Sequence, residues 1–132
     1  MIKRQSDLKK EVWKLFSKYI RLKYANEFGM VRCYTCGILM RWQDAQAGHG
    51  ISGRNNSILF DEEIVRPQCK RCNIFLNGNE EIFHYKLIKE NGLDWFEKKL
   101  KQKQTIKQFS NKELQDLYDY YFNKLKQFKE IG

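Results

Sequence analysis

Cys33-Tyr-Thr-Cys36-Gly37 and Gln68-Cys69-Lys-Arg-Cys72-Asn73 hold every cysteine of the chain, in two Cys-x-x-Cys pairs. Each pair can turn a tight knuckle that points two sulfurs at one ion, and two knuckles complete a tetrahedral four-sulfur site. Thiolate-rich tetrahedral sets select zinc, less often iron, over hard cations. The rivals are a pair of disulfides or a redox pair. Disulfides need an oxidising compartment, and the polar, charged stretch Met1–Lys10 has no apolar core of a secretory signal. A structural Zn2+ held by Cys33, Cys36, Cys69 and Cys72 is therefore the first expectation, and it folds everything between the knuckles around one point.

Upstream of the first knuckle, Leu8, Val12, Leu15, Phe16, Tyr19 and Ile20 recur at helical spacing. They predict one amphipathic helix over Ser6–Phe28, capped by Ser6 and ended by Gly29. Met30–Arg32 and Ile38–Trp42 read as a hairpin carrying the first knuckle at its turn. The polar run Ile51–Ser57 reads as a loop, Ile58–Phe60 as a short strand, and Ile64–Gln68 as an approach to the second knuckle. Helical patterns follow from Asn73, over Glu80–Glu90 and over Leu93–Gln104. Ser110-Asn-Lys-Glu113 is a capping box that opens a last helix bearing Leu114, Leu117, Tyr118, Tyr121, Leu125 and Phe128. The expected fold class is α+β in a single domain over 1–132. A basic helix (1–29) and C-terminal helices (93–132) wrap a small metal-pinned β-hairpin-and-helix centre (30–92).

The chain is 132 residues long with a net charge of +9, so a polyanion is the natural partner. Met1–Arg32 alone holds nine Lys/Arg against three acids, which is most of the excess. Lys10, Lys14, Lys18 and Arg21 share one helix face and read as a phosphate track, with a plain solvated face as the alternative. Arg54 and Arg66 flank the centre and are further candidate phosphate contacts. No stretch reaches the roughly eighteen apolar residues of a membrane span, and no membrane partner is expected.

Of two histidines, His49 lies between the knuckles in Ala47-Gly48-His49, and Asn73 directly follows the last cysteine. Knuckles sharing one ion pull the strand of His49 and the helix opening at Asn73 together. A strand-end histidine facing a polar residue of a helix's first turn suits one-metal phosphodiester cleavage. In that chemistry a divalent ion holds the scissile phosphate and a neutral imidazole takes a proton from water. His84 lies outside any motif and reads as a surface or partly packed residue. Asn77 reads as a helix-ending residue before Gly78, with a ligand role one turn from Asn73 as the alternative. Tyr34, Trp42 and Phe60 read as core before they read as platforms for unpaired bases.

The order Cys33-x-x-Cys-Gly37, Ala47-Gly-His49, Gln68-Cys-x-x-Cys-Asn73 and Gly78-Asn79 resembles the HNH, or ββα-metal, nucleases. More narrowly the chain is similar to the NinG/Rap family of lambdoid-phage recombination endonucleases. Phe16–Ala25, Trp42, Phe60–Glu63 and Arg66–Cys69 add to the resemblance. The cysteine pairs also resemble the zinc-pinned junction resolvase of T-even phages. The resemblance implies a treble-clef-like ββα-metal centre with four structural zinc cysteines. It implies His49 as general base and Asn73 as a ligand of catalytic Mg2+ or Mn2+. The activity implied is cleavage of branched or single-stranded DNA in phage recombination and replication, in the cytoplasm of the bacterial host. A homodimer, needed for two symmetric cuts on a junction, and other recombination proteins are the implied partners.

Three positions depart from the wider pattern. Gly48 stands where many HNH sites have a metal-binding aspartate, although the narrower family also reads Ala-Gly-His. Asp44, Asp61, Glu62 and Glu63 are the nearby carboxylates that could replace it. Ile64 stands where the pattern has the loop-tying asparagine, and isoleucine has no donor or acceptor for that task. Gly50 stands where an aromatic is usual, which predicts a looser site. The rival readings are a non-catalytic zinc DNA-binding module and a recombination adaptor using the aromatic C-terminal helix.

Overall fold

The computed structural model describes residues 4–128. Helix α1 spans Gln5–Lys23 and buries Leu8, Val12, Phe16, Tyr19, Ile20 and Leu22 along one stripe, as the spacing predicts. It starts one residue before Ser6, with Arg4 as the capping residue and no side-chain cap. It also stops five residues short of Phe28. Asn26 ends it: its side-chain oxygen accepts from the backbone N–H groups of Phe28 (2.9 Å) and Met30 (3.0 Å), a local turn that competes with further helix.

Two small antiparallel sheets follow. Strands β1 (Met30–Arg32) and β2 (Leu39–Arg41) form the expected hairpin, with Val31 opposite Met40. Strand β3 (Gln46–His49) pairs with β4 (Val65–Gln68), so that Gly48 lies opposite Arg66 and His49 opposite Val65. The backbone N–H of Tyr34 donates to Pro67 O at 2.8 Å, joining the first knuckle to β4.

Between β3 and β4 the strand expected at Ile58–Phe60 is instead a one-turn helix α2, Asn56–Leu59. A short apolar run fits either element, and here Ile58 and Leu59 both point into the core. After the second knuckle a wide π-type turn spans Arg71–Phe75. Asn77, Gly78 and Asn79 then all take positive φ (50°, 89° and 50°), ending that turn and leading into α3, Glu80–Asn91. Gly92, with φ 92°, separates α3 from α4, Leu93–Gln104. Helix α5, Asn111–Leu125, opens with the Ser110/Glu113 capping box.

A single large apolar cluster takes residues from α1 (Phe16, Tyr19, Ile20), β3 (Ala47), β4 (Val65), α3 (Phe83, Leu87), α4 (Phe96) and α5 (Tyr121). A smaller one joins Leu8 and Val12 of α1 to Leu114 of α5. The architecture is α+β, with helices from both ends packed over the short strands.

Candidate functional site

The knuckles meet. The sulfurs of Cys33, Cys36, Cys69 and Cys72 all lie within 4.8 Å of one another, and Cys36 Sγ is 3.7 Å from Cys69 Sγ. A tetrahedral site with a metal–sulfur bond of ~2.3 Å has edges of about 3.8 Å, so the four cysteines fit one Zn2+. The protein turns hydrogen-bond donors toward the sulfurs. Gln68 Nε2 donates to Thr35 Oγ1 (3.1 Å), which leaves the Thr35 hydroxyl proton for Cys33 Sγ at 3.4 Å. Cys72 N–H points at Cys69 Sγ (3.5 Å), and Asn79 Nδ2 points at Cys72 Sγ (3.7 Å). Burial raises the Cys33 thiol, but its hydrogen bonds from Thr35 and from knuckle N–H groups outweigh that and bring it down to about 6. Burial drives the Cys36 thiol the other way, to about 12, and raises Cys69. One sulfur favours the thiolate while its neighbours resist a second charge, and a dication removes that conflict.

On one face of β3, beside this cluster, stand Gln46 and Gly48. Asn73 is held there by the π-type turn, its Nδ2 donating to Gln46 Oε1 at 2.7 Å. A Cβ on Gly48 would lie 3.1 Å from Asn73 Oδ1 and only 1.9 Å from Gln68 Oε1. Gln68 is fully buried, donates from Nε2 to Thr35 and to Gly78 O (2.8 Å), and its Oε1 has no hydrogen-bond partner. Side chains alternate across a strand, so Ala47 and His49 belong to the other face, toward α1. The two expected site residues have different partners: Asn73 bonds Gln46 and His49 bonds Leu59 O. Asn73 adjoins Gly48, and the His49 imidazole stands across the strand from it.

His49 is fixed by two contacts. Its Nε2 is 3.1 Å from Leu59 O, and its ring stacks on Trp13 with centroids 5.2 Å apart and planes 15° from parallel. A carbonyl only accepts, so Nε2 carries the proton and Nδ1 keeps its lone pair. Burial lowers the imidazole pKa from its ordinary 6.5, and the positive charge of Arg54 adds to that against the opposing pull of Leu59 O and Asp61.

Trp13 also carries the Arg54 guanidinium, 4.5 Å from the ring centroid. The indole and Leu59 floor a cavity of about 420 Å³ rimmed by Lys9, Lys10, Lys14 and Arg54. Of the expected track, Lys10, Lys14 and Arg54 thus converge on the cavity beside His49. Lys18 and Arg21 do not; they stand over Trp42 at 5.7 and 5.3 Å. Arg66 is engaged inside the fold, donating to Glu62 O (3.1 Å) and Glu63 O (2.8 Å), with its side chain 11% exposed. Lys9 and Trp13 are additions of the structure. Trp13 lies four residues after Lys9 and three after Lys10, offsets that put the three on one wall, a signal readable in the sequence.

The candidate carboxylates are all engaged elsewhere. Asp44 pairs with Arg41, Asp61 and Glu63 with Lys99, and Glu62 with Lys23 and the Tyr121 hydroxyl. Among the described residues, the cysteines are the only grouping of His, Cys, Asp or Glu suited to a metal ion. Asn73 meets the amide of Gln46, and amide oxygens by themselves do not make a resident Mg2+ or Mn2+ site. Gly50 is required rather than loosening: a Cβ there would meet Phe83 and Leu87 at 2.6 Å. The loop tie missing from Ile64 is made by backbone, Gly50 N–H donating to Ile64 O at 2.7 Å, while the Ile64 side chain is fully buried. His84 packs on Phe96 (4.9 Å between centroids), and Tyr34 and Phe60 pack against the core.

No helix among the described residues is long and apolar enough to cross a membrane. Neither the curated proteins nor the solved structures contain a match to the chain. The family model described as bacteriophage lambda NinG protein matches residues 1–130, and the chain belongs to that family.

Proposed function

We propose that this protein is a zinc-stabilised, HNH-type endonuclease that cuts branched or single-stranded DNA during phage recombination and replication, in the host cytoplasm. The carrying observation is His49: a half-buried imidazole whose Nε2–H is committed to Leu59 O, leaving Nδ1 as acceptor, stacked on the Trp13 indole that lines a cleft rimmed by cations. Such a group is a general base in its working protonation state at neutral pH. Lys10, Lys14 and Arg54 supply the charge that draws a phosphate backbone into reach. Nδ1 takes a proton from water as its oxygen bonds to phosphorus; the leaving-side P–O bond breaks and its oxygen takes a proton from solvent.

The four-cysteine zinc site supplies rigidity: it anchors β4 and the turn carrying Asn73. Mg2+ or Mn2+ enters this reading as a solution cofactor accompanying substrate phosphates, because among the described residues the only group of three or more candidate ligands is the cysteine cluster. That same observation favours the second reading, a non-catalytic zinc DNA-binding module. Incubation of the zinc-loaded protein with single-stranded, duplex, flap and four-way DNA, with Mg2+ and with Mn2+, separates them. Cleavage of branched or single-stranded substrates is expected. Binding without cleavage of any of them would select the binding module.

A further inference from the structure

We propose that Trp13 is the positioning residue of this site, one indole carrying both the His49 imidazole and the Arg54 guanidinium so that base and phosphate-binding cation act as a unit. The inference rests on the reading above for what His49 does and adds how it is held. Two observations from separate parts of the chain meet here. The first is the near-parallel stack of His49 on Trp13; the second is the Arg54 guanidinium 4.5 Å from the ring centroid. Each alone is an ordinary aromatic contact. Sharing one ring makes them dependent.

Neither partner has another comparable anchor. His49 has one hydrogen bond, at Nε2, which fixes the direction of that nitrogen but leaves the ring free to rotate about it. A stacked neighbour removes that rotation and so fixes where Nδ1 points. Arg54 sits on an exposed loop beside Gly53 (φ 107°), itself with φ 49°, a conformation unusual for a residue with a side chain. Its cation–π contact selects one place for the charge, against the cavity that Lys10 and Lys14 rim. Trp13 is itself held from behind, 5.6 Å from Phe16 and 6.5 Å from Phe60, so its plane is set by the core. The rigid helix α1 thereby dictates the geometry of two residues that come from a strand end and a loop.

The experiment uses the full, zinc-loaded chain and an oligo-dT probe without added divalent ion, so that affinity is read apart from turnover. Trp13→Leu, Trp13→Phe, Arg54→Gln and the Trp13→Leu/Arg54→Gln pair are compared. Trp13→Leu and Arg54→Gln should each weaken binding by about 2- to 10-fold. The double variant should be no weaker than the worse single one, and Trp13→Phe should retain most of the affinity. In the same samples His49 side-chain couplings and ring-proton NOEs should report one ring orientation in the parent and in Trp13→Phe and averaged orientations in Trp13→Leu, with His84 as the internal reference. Losses that multiply in the double variant, or a single His49 ring orientation kept in Trp13→Leu, would overturn the proposal. If Trp13→Leu loses its zinc, the equally non-aromatic Trp13→Met replaces it in the Arg54→Gln cycle. A parent protein that cuts no DNA but shows the coupling would remove the nuclease reading and leave this inference standing.

Discussion

The side-chain oxygen of Gln68 fills the space that a Cβ on Gly48 would need, 1.9 Å from that position. Gln68 is held there by its two amide donations, to Thr35 and Gly78, which also tie it to the cysteine cluster. The missing aspartate of the wider HNH pattern is thus a position from which any side chain is excluded. Gly48→Asp should cost about 2–4 kcal/mol of stability, from overpacking together with a carboxylate forced against an amide oxygen. Chemical denaturation measures it. A Gly48→Asp protein as stable as the parent would show that Gln68 yields freely.

Zinc at the four cysteines would have a stoichiometric consequence. The purified protein should carry one zinc per chain, and Cys→Ser at any of Cys33, Cys36, Cys69 or Cys72 should abolish cooperative unfolding, because binding the ion is here part of folding. Elemental analysis and thermal melts with and without chelator check this. A chelated protein melting as the parent does would remove the metal from the fold.

Much of this was legible beforehand because it depends on local pattern. The cysteine pairs, the α1 stripe, the hairpin, α4 and the capping box of α5 each announce themselves within a few residues. What stayed hidden depends on contacts between distant residues. Nothing near Gly48 signals that Gln68 will occupy its side. The pairing of β3 with β4 sets which face His49 takes, and that alternation separates it from Asn73. At Ile64, whose side chain cannot make the loop tie, a backbone hydrogen bond from Gly50 makes one. An asparagine there would place an amide in the apolar core. The aromatic face of α5, which suits a packing face as well as an adaptor surface, delivers Tyr121 to the core against Phe16 at 5.2 Å.

The cations divide into two groups with different expected roles. Neutralising Lys9, Lys10, Lys14 and Arg54 should weaken DNA binding for all sequences. It should also flatten the slope of log K against log salt by about 0.7–0.9 for each phosphate the cleft no longer neutralises. Neutralising Lys18 and Arg21, which stand over Trp42, should change that slope less. Equal effects in a salt titration would mean that the whole helix face, rather than the cleft, carries the backbone.

The pH dependence follows from His49. Burial lowers its pKa below the ordinary 6.5, so the neutral, proton-accepting form persists to more acidic pH than for a free histidine. The acid limb of the cleavage rate should therefore lie below about 6.5. Between the folded and unfolded pKa values the unfolded chain binds more protons, so His49 favours folding above about 6.5 and its contribution fades as pH falls through that window. Rate profiles and the His49 titration by NMR should agree; an acid limb clearly above 6.5 would assign the base to another group.

The comparison of the parent with His49→Ala on one branched DNA substrate, scored for binding and for cleavage side by side, bears most directly on the account. Loss of the proton acceptor should reduce cleavage by about 10²–10⁴-fold, with binding and zinc content unchanged because the cationic cleft and the cysteines are untouched. Cleavage by His49→Ala at the parent's rate, or a parent that binds and never cuts, would contradict it.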